Sequence, residues 1–275
     1  MFCVGAFLAA EPHWRAIQEQ WTVRLAFDNI AYFRATDCKA VKGPFYNLRG
    51  KCGSLTLAMQ AAADIRTDLE QILLAAHWIG FGLGIVIRDY NHVLKQIPET
   101  GFFFAKDHTV AAYSEMMYEV ARSVRKNAPG HTVSFVIDAS SCSAKITDAL
   151  RAIKIIHSTI GTSIDTVTAL DDKTHPPLQV ADLISNIVKD SFLEWLKQGK
   201  PKYVPLDAKW LNHFQAIGTW DEAHMLHSFT KTLTSTRFGK GLLPSPPQPE
   251  MTKAQRKRMR REMVRTRLGS KPTGK

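Results

Sequence analysis

The chain has 275 residues, with 36 Lys or Arg against 25 Asp or Glu and a formal net charge of +11. That length allows one large domain or two small ones with a sizeable core, and 45% apolar with 22% charged residues is ordinary for a globular protein. No apolar run reaches the roughly 18 residues of a spanning helix, and MFCVGAFLAA has no basic residue before it, so it reads as a strand and the protein as cytoplasmic.

Taken in order, Phe2–Ala9 is expected to be a strand, and Glu11-Pro12 opens a helix with Trp14, Ile17, Trp21 and Leu25 on one stripe. Residues 32–45 (YFRATDCKAVKGPF) have mixed polarity and end in Gly-Pro, which predicts an irregular crossing. Ser54 is a good N-cap for a long helix to about Trp78, rich in Ala and Leu. Gly80-Phe81-Gly82 is expected to break it, with Leu83–Ile87 as a short buried strand. Helices are predicted over Lys106–Lys126, Ser143–His157 and Pro177–Lys197, with strands over His131–Asp138 and Ser163–Leu170. That alternation implies parallel strands joined by crossover helices. Beyond Gly199-Lys200-Pro201 the pattern weakens to one short helix near Asp221–Thr232, then a proline-rich linker, LPSPPQPE.

The charge sits at one end. From Lys253 to Lys275 ten Lys or Arg face Glu262 alone, which is +9 and leaves about +2 for the other 252 residues. This tail, with Arg256, Lys257, Arg258, Arg260, Arg261, Arg265 and Arg267, reads either as a solvated end or as an arm for the phosphate backbone. It lacks the Trp and Phe of a membrane-surface helix. Cys3, Cys38, Cys52 and Cys142 are scattered without a C-x-x-C pair, so reduced thiols are expected rather than zinc ligands or disulfides.

Asp138 ends the clearest strand, where open α/β sheets place their ligands, although a carboxylate there also caps many turns. In PPLQVADLISNIVKD, Ala181, Ile184, Val188 and Trp195 form a buried stripe, while Gln179, Asp182, Asn186 and Lys189 share a second face. Asp182 among apolar neighbours needs a hydrogen bond, an ion pair or a cation. Asp171 and Asp172 could add a ligand or simply turn the chain, and Asp37 is a more remote candidate. Carboxylates gathered from strand ends and an adjacent helix are what Mg2+- or Mn2+-dependent phosphodiester chemistry requires.

FVIDAS, followed by helix, strand and PPLQVADLISNIVKD, resembles the bacterial and phage family known as domain of unknown function 3800; YFRATDCKAVKGPF and the opening FCVGAFLA resemble it too. The resemblance spans roughly residues 1–197. It implies an α/β, ribonuclease H-like mixed sheet with flanking helices, carrying a suspected metal-dependent nuclease site at Asp138 and Asp182. Asp172 would be a further metal ligand, with Gln179, Asp171 and Asp37 auxiliary. Members usually begin with a strand ending Asp-Glu-Ser-Gly, whereas Met1 here leads into the equivalent of the second strand, and Arg34 stands where a His often precedes Ala-Thr-Asp. The first ligand is therefore expected to be missing, through an upstream start or through truncation that abolishes activity.

The expected organisation is a ribonuclease H-like domain over 1–199, an extension over 200–242 packing on it, and a linker with basic tail over 243–275. The expected function is a metal-dependent nuclease. The alternative is a non-catalytic nucleic-acid-binding or interaction module of a phage or mobile element.

Overall fold

A computed structural model describes residues 1–97, 107–140, 142–156, 158–200 and 203–220, with Glu222, Met225 and Leu226. All belong to one compact unit, Met1–Lys231; Thr232–Lys275, including the expected linker and basic tail, lies outside the described residues. The unit is α/β, with a mixed three-stranded sheet, a separate two-stranded sheet and flanking helices.

Strand β1 (Phe2–Leu8) alternates strictly. Phe2, Val4, Ala6 and Leu8 join the core on one face of the sheet, while Cys3 and Phe7 join the core on the other. Helix α1 (Glu11–Phe27) carries Pro12 in its first turn and buries Ile17, Trp21 and Leu25, while Trp14 stacks on Phe7 with ring centroids 4.0 Å apart. Residues 32–45 are more regular than the sequence suggests. They form helix α2 (Ala35–Ala40) and a 3-10 turn at Gly43–Phe45, and helix α3 (Asn47–Cys52) follows. Val41 ends α2 at φ 49°, fully buried, a left-handed conformation disfavoured for a β-branched residue and held here by packing. The long helix α4 (Leu55–Ala75) is capped by Ser54, whose Oγ accepts the Leu57 N–H at 3.2 Å.

The glycines at 80 and 82 do not break the chain. They lie inside strand β2 (Ile79–Ile85), which pairs antiparallel with β1. Phe81, Leu83 and Ile85 face one core, while Gly82 and Gly84 turn toward the helix α9 (Pro176–Lys197) on the other face. A Cβ on Gly82 would lie 2.8 Å from Val188, and one on Gly84 2.8 Å from Phe192. The spacing reads as a breaker but supplies a smooth face for the helix. Helix α9 also presses on β1: a Cβ on Gly5 would fall 2.5 Å from the Ser185 backbone nitrogen, and the Gly5 N–H donates to Ser185 Oγ at 2.9 Å.

A helix and a strand are among the elements that went unseen in the sequence. Helix α5 (Ile87–Gln96) follows β2 directly. Strand β5 (Phe214–Trp220) pairs parallel with β2, so residues beyond 200 contribute to the sheet itself. Of the helix expected near Asp221–Thr232, only Glu222, Met225 and Leu226 lie among the described residues.

Helix α6 (His108–Asn127), capped by Asp107, covers β1 and β2 opposite α9 and reaches β3 (Val133–Asp138). Helix α7 (Ser143–Ile156) and the short α8 (Ser158–Gly161) lead to β4 (Ile164–Leu170), parallel to β3 as expected. All four cysteines are unpaired, and burial pushes the thiols of Cys3 and Cys38 up to about 11. No helix among the described residues is long and apolar enough to cross a membrane.

Candidate active site

Two aspartates bind the segment Phe33–Ala35, and a third ends the neighbouring strand. Asp138 ends β3 and is exposed; it lies in register with Leu170, two residues before Asp172 in the turn after β4. Asp172 is buried, and its Oδ2 receives the Arg34 guanidinium at 2.6 Å. Asp182 projects from the first half of α9, and its Oδ2 accepts the Ala35 N–H at 2.6 Å, satisfying a free donor at the start of α2. Side chain and backbone of one dipeptide thus hold two carboxylates.

Gln179 assembles this arrangement. It is 2% exposed, and its Oε1 accepts from the Trp21 indole at 3.1 Å and from the Phe33 N–H at 2.9 Å, while its Nε2 donates to the Asp172 carbonyl at 3.0 Å. One amide therefore ties α1, the segment before Arg34 and the Asp172 turn to α9. Its role is positional. Asp171 is a turn residue: it is fully exposed, its Oδ1 accepts the Lys173 N–H at 3.0 Å, and that bond holds its carboxyl below the usual range. Asp37 points elsewhere, toward Gly43, where a Cβ would lie 2.8 Å from its Oδ2. The seven basic tail residues lie outside the described residues.

Partial loss of solvent at its inner edge raises the Asp138 carboxyl, and neighbouring Asp172 raises it further. Burial also raises Asp182, with Asp172 and Asp138 adding to the rise and the Ala35 N–H opposing it. Arg34 draws both back down. Tyr113, on α6, was missed by sequence reasoning. Burial raises its phenol, and the charges of Asp138, Cys142 and Asp182 raise it further. It sits one position away from the Ala112 and Met116 stripe, where periodicity marks only core.

The donor set suits a hard divalent cation in type, carboxylate oxygens from three elements, and in its excess of negative charge. The arrangement is closed on Arg34 and Ala35, however. Among the described residues no group of three or more His, Cys, Asp or Glu is placed to hold a metal. No family model matches the chain, and no curated protein or solved structure matches it either.

Proposed function

We propose that this chain is a ribonuclease H-like, divalent-cation-dependent nuclease in which Asp138, Asp172 and Asp182 would hold Mg2+ or Mn2+, and in which the basic tail would contact the phosphate backbone. The observation that carries the reading is that Asp172, in the turn after β4, and Asp182, on helix α9, are bound to adjacent residues, Arg34 and Ala35, with Asp138 at the end of neighbouring β3. The antiparallel β1–β2 pair and the parallel β3–β4 pair joined through α7 are compatible with that architecture. When bound, the cation would supply an acidified water and neutralise charge at the phosphate. The chain's own contributions are separate: Gln179 fixes the turn that carries Asp172, Ala35 orients Asp182, and Arg34 sets the net charge of the cluster.

The test is cleavage of DNA and of RNA with Mg2+ or Mn2+ by the full chain beside Asp138→Ala and Asp182→Ala. Metal-dependent cleavage lost in both variants is expected; equal activity in all three proteins would sink the assignment. A second reading is favoured by the ion pair and hydrogen bond that already occupy Asp172 and Asp182. It makes the chain a non-catalytic nucleic-acid-binding module. Binding that disappears on deleting residues 253–275, with no cleavage under either metal, selects it.

A further inference from the structure

Residues 32–51 carry five Lys or Arg against Asp37 alone, a net +4, so the +2 of the first 252 residues becomes −2 without them. Two of the five are neutralised, Arg34 by Asp172 at 2.6 Å and Lys39 by Asp190 at 2.9 Å. Lys42, Arg49 and Lys51 form no ion pair among the described residues; Lys51 Nζ donates to the Asp28 carbonyl at 3.0 Å, and Asp37 is turned toward Gly43. Buried Val41, Phe45 and Leu48 hold this part of the chain against the core, so Lys42, Tyr46 and Arg49, at spacings of four and three, come out on the other side. Tyr46 is 62% exposed, and the Arg49 guanidinium lies over its ring, 5.3 Å from the centroid. Arg49 Nε is enclosed and has no hydrogen-bond partner among the described residues. A guanidinium fixed on a ring and lacking an anion is preorganised to bind one.

We infer that Lys42, Tyr46, Arg49 and Lys51 bind single-stranded nucleic acid, the cations on its phosphates and the Tyr46 ring against a base. The inference rests on the nucleic-acid partner proposed above, is independent of the metal reading, and adds a contact surface on the folded body. Cations interleaved with a solvent-facing aromatic ring suit a single strand, whose bases are free to stack, whereas a duplex hides them. Helix α2, about 9 Å long, leads from this surface back to Arg34 and Ala35, so a strand held here can pass close to the aspartates. An anionic lipid surface is the rival occupant, because Leu55 and Leu57 stand exposed at the start of α4. Phe33 and Phe45 are fully buried, however, and residues 32–51 contain no Trp, so the surface offers lipid no large ring to insert.

The test binds the full chain to a single-stranded deoxyoligonucleotide of about 16 nucleotides, the upper end of common site sizes, bearing 5-iodouracil for photocrosslinking. Mass spectrometry is expected to find a crosslink on Tyr46, because the halogenated base reacts with a ring stacked on it. Fluorescence anisotropy compares wild type with Tyr46→Ala, Tyr46→Phe and the double variant Lys42→Gln/Arg49→Gln, each checked for folding by thermal unfolding. Tyr46→Ala is expected to bind the single strand about fivefold more weakly and Tyr46→Phe like wild type, since stacking needs only the ring. A duplex of the same length is expected to bind Tyr46→Ala and wild type alike, and an equal loss on both forms overturns the single-strand assignment. In the double variant the slope of log affinity against log salt is expected to fall by about 1.4, the share of two phosphate contacts. Crosslinks confined to residues 253–275, with every variant binding like wild type, overturn the inference and leave the basic tail as the contact. Substitutions that weaken binding to phosphatidylserine vesicles but not to the oligonucleotide overturn it in favour of lipid. Failure of wild type to bind the oligonucleotide overturns it together with the nucleic-acid partner.

Discussion

Strand β2 buries six of its seven residues, whereas β4 buries only Ile164. The first belongs to the sheet enclosed between α9 and α6; the second, with β3, leaves side chains such as Val136 44% exposed. The enclosed sheet is packed to backbone contact and tolerates little change. The open pair carries Asp138 at its C-terminal end, where the carboxylate remains reachable from solvent, with the buried Asp172 in the turn beyond β4. Rigid support and chemical access are thus divided between two sheets, with α9 and the Gln179 amide joining them.

That division can be broken at its tightest point. Gly5→Val places side-chain atoms against the Ser185 backbone, which cannot yield as a flexible side chain would. It is expected to destabilise the fold by roughly 3 kcal/mol, whereas Val136→Thr on the open strand should change stability by less than about 0.5 kcal/mol. Urea unfolding of the two variants measures the contrast, and similar losses would dissolve it. At the joint, Gln179→Ala leaves the Trp21 indole N–H and the Phe33 N–H without their acceptor. A loss of about 2–3 kcal/mol in the same assay is expected. A loss below 0.5 kcal/mol, on the scale of about 1 kcal/mol for an ordinary hydrogen bond, would show that the amide joins nothing.

Titration separates the regions more gently. On α6, burial, aided by Glu119, raises the Glu115 carboxyl to about 7, while on the open turn Asp171 is lowered by the Lys173 N–H. A raised carboxyl binds its proton more tightly in the folded state, so its stabilising contribution is complete below the unfolded value near 4.5 and fades as pH rises toward 7. Glu115→Gln should therefore match wild type in melting temperature near pH 4 and exceed it increasingly up to pH 8. A constant difference across that range would contradict the assigned burial.

Much of this architecture is legible in the sequence because it rests on local signals. The stripe of α1, the Ser54 cap and the β-branched run ending at Asp138 each point to the element that forms. The glycines of β2 mislead because their reason lies about a hundred residues away, in Val188 and Phe192. Strand β5 is faint because FQAIGTW, a mixed and largely half-exposed run, lacks clean alternation and becomes a strand only by pairing with β2. Residues 32–45 hide a helix because its turn depends on Val41 in a conformation that its side chain disfavours. At the site, residue type marked Asp138, Asp182 and Gln179. It could not reveal that Arg34 would lie against Asp172, a contact spanning 138 positions.

The bond from the Trp21 indole to Gln179 Oε1 has a spectroscopic consequence. This indole is one of six in the chain, is shielded from water, and shares its acceptor with the backbone immediately before Arg34. Any movement of Arg34 that shifts the Phe33 amide must alter the field at Trp21. The molecule therefore carries an intrinsic optical probe of its own carboxylate cluster, readable from Trp21 emission without an added label.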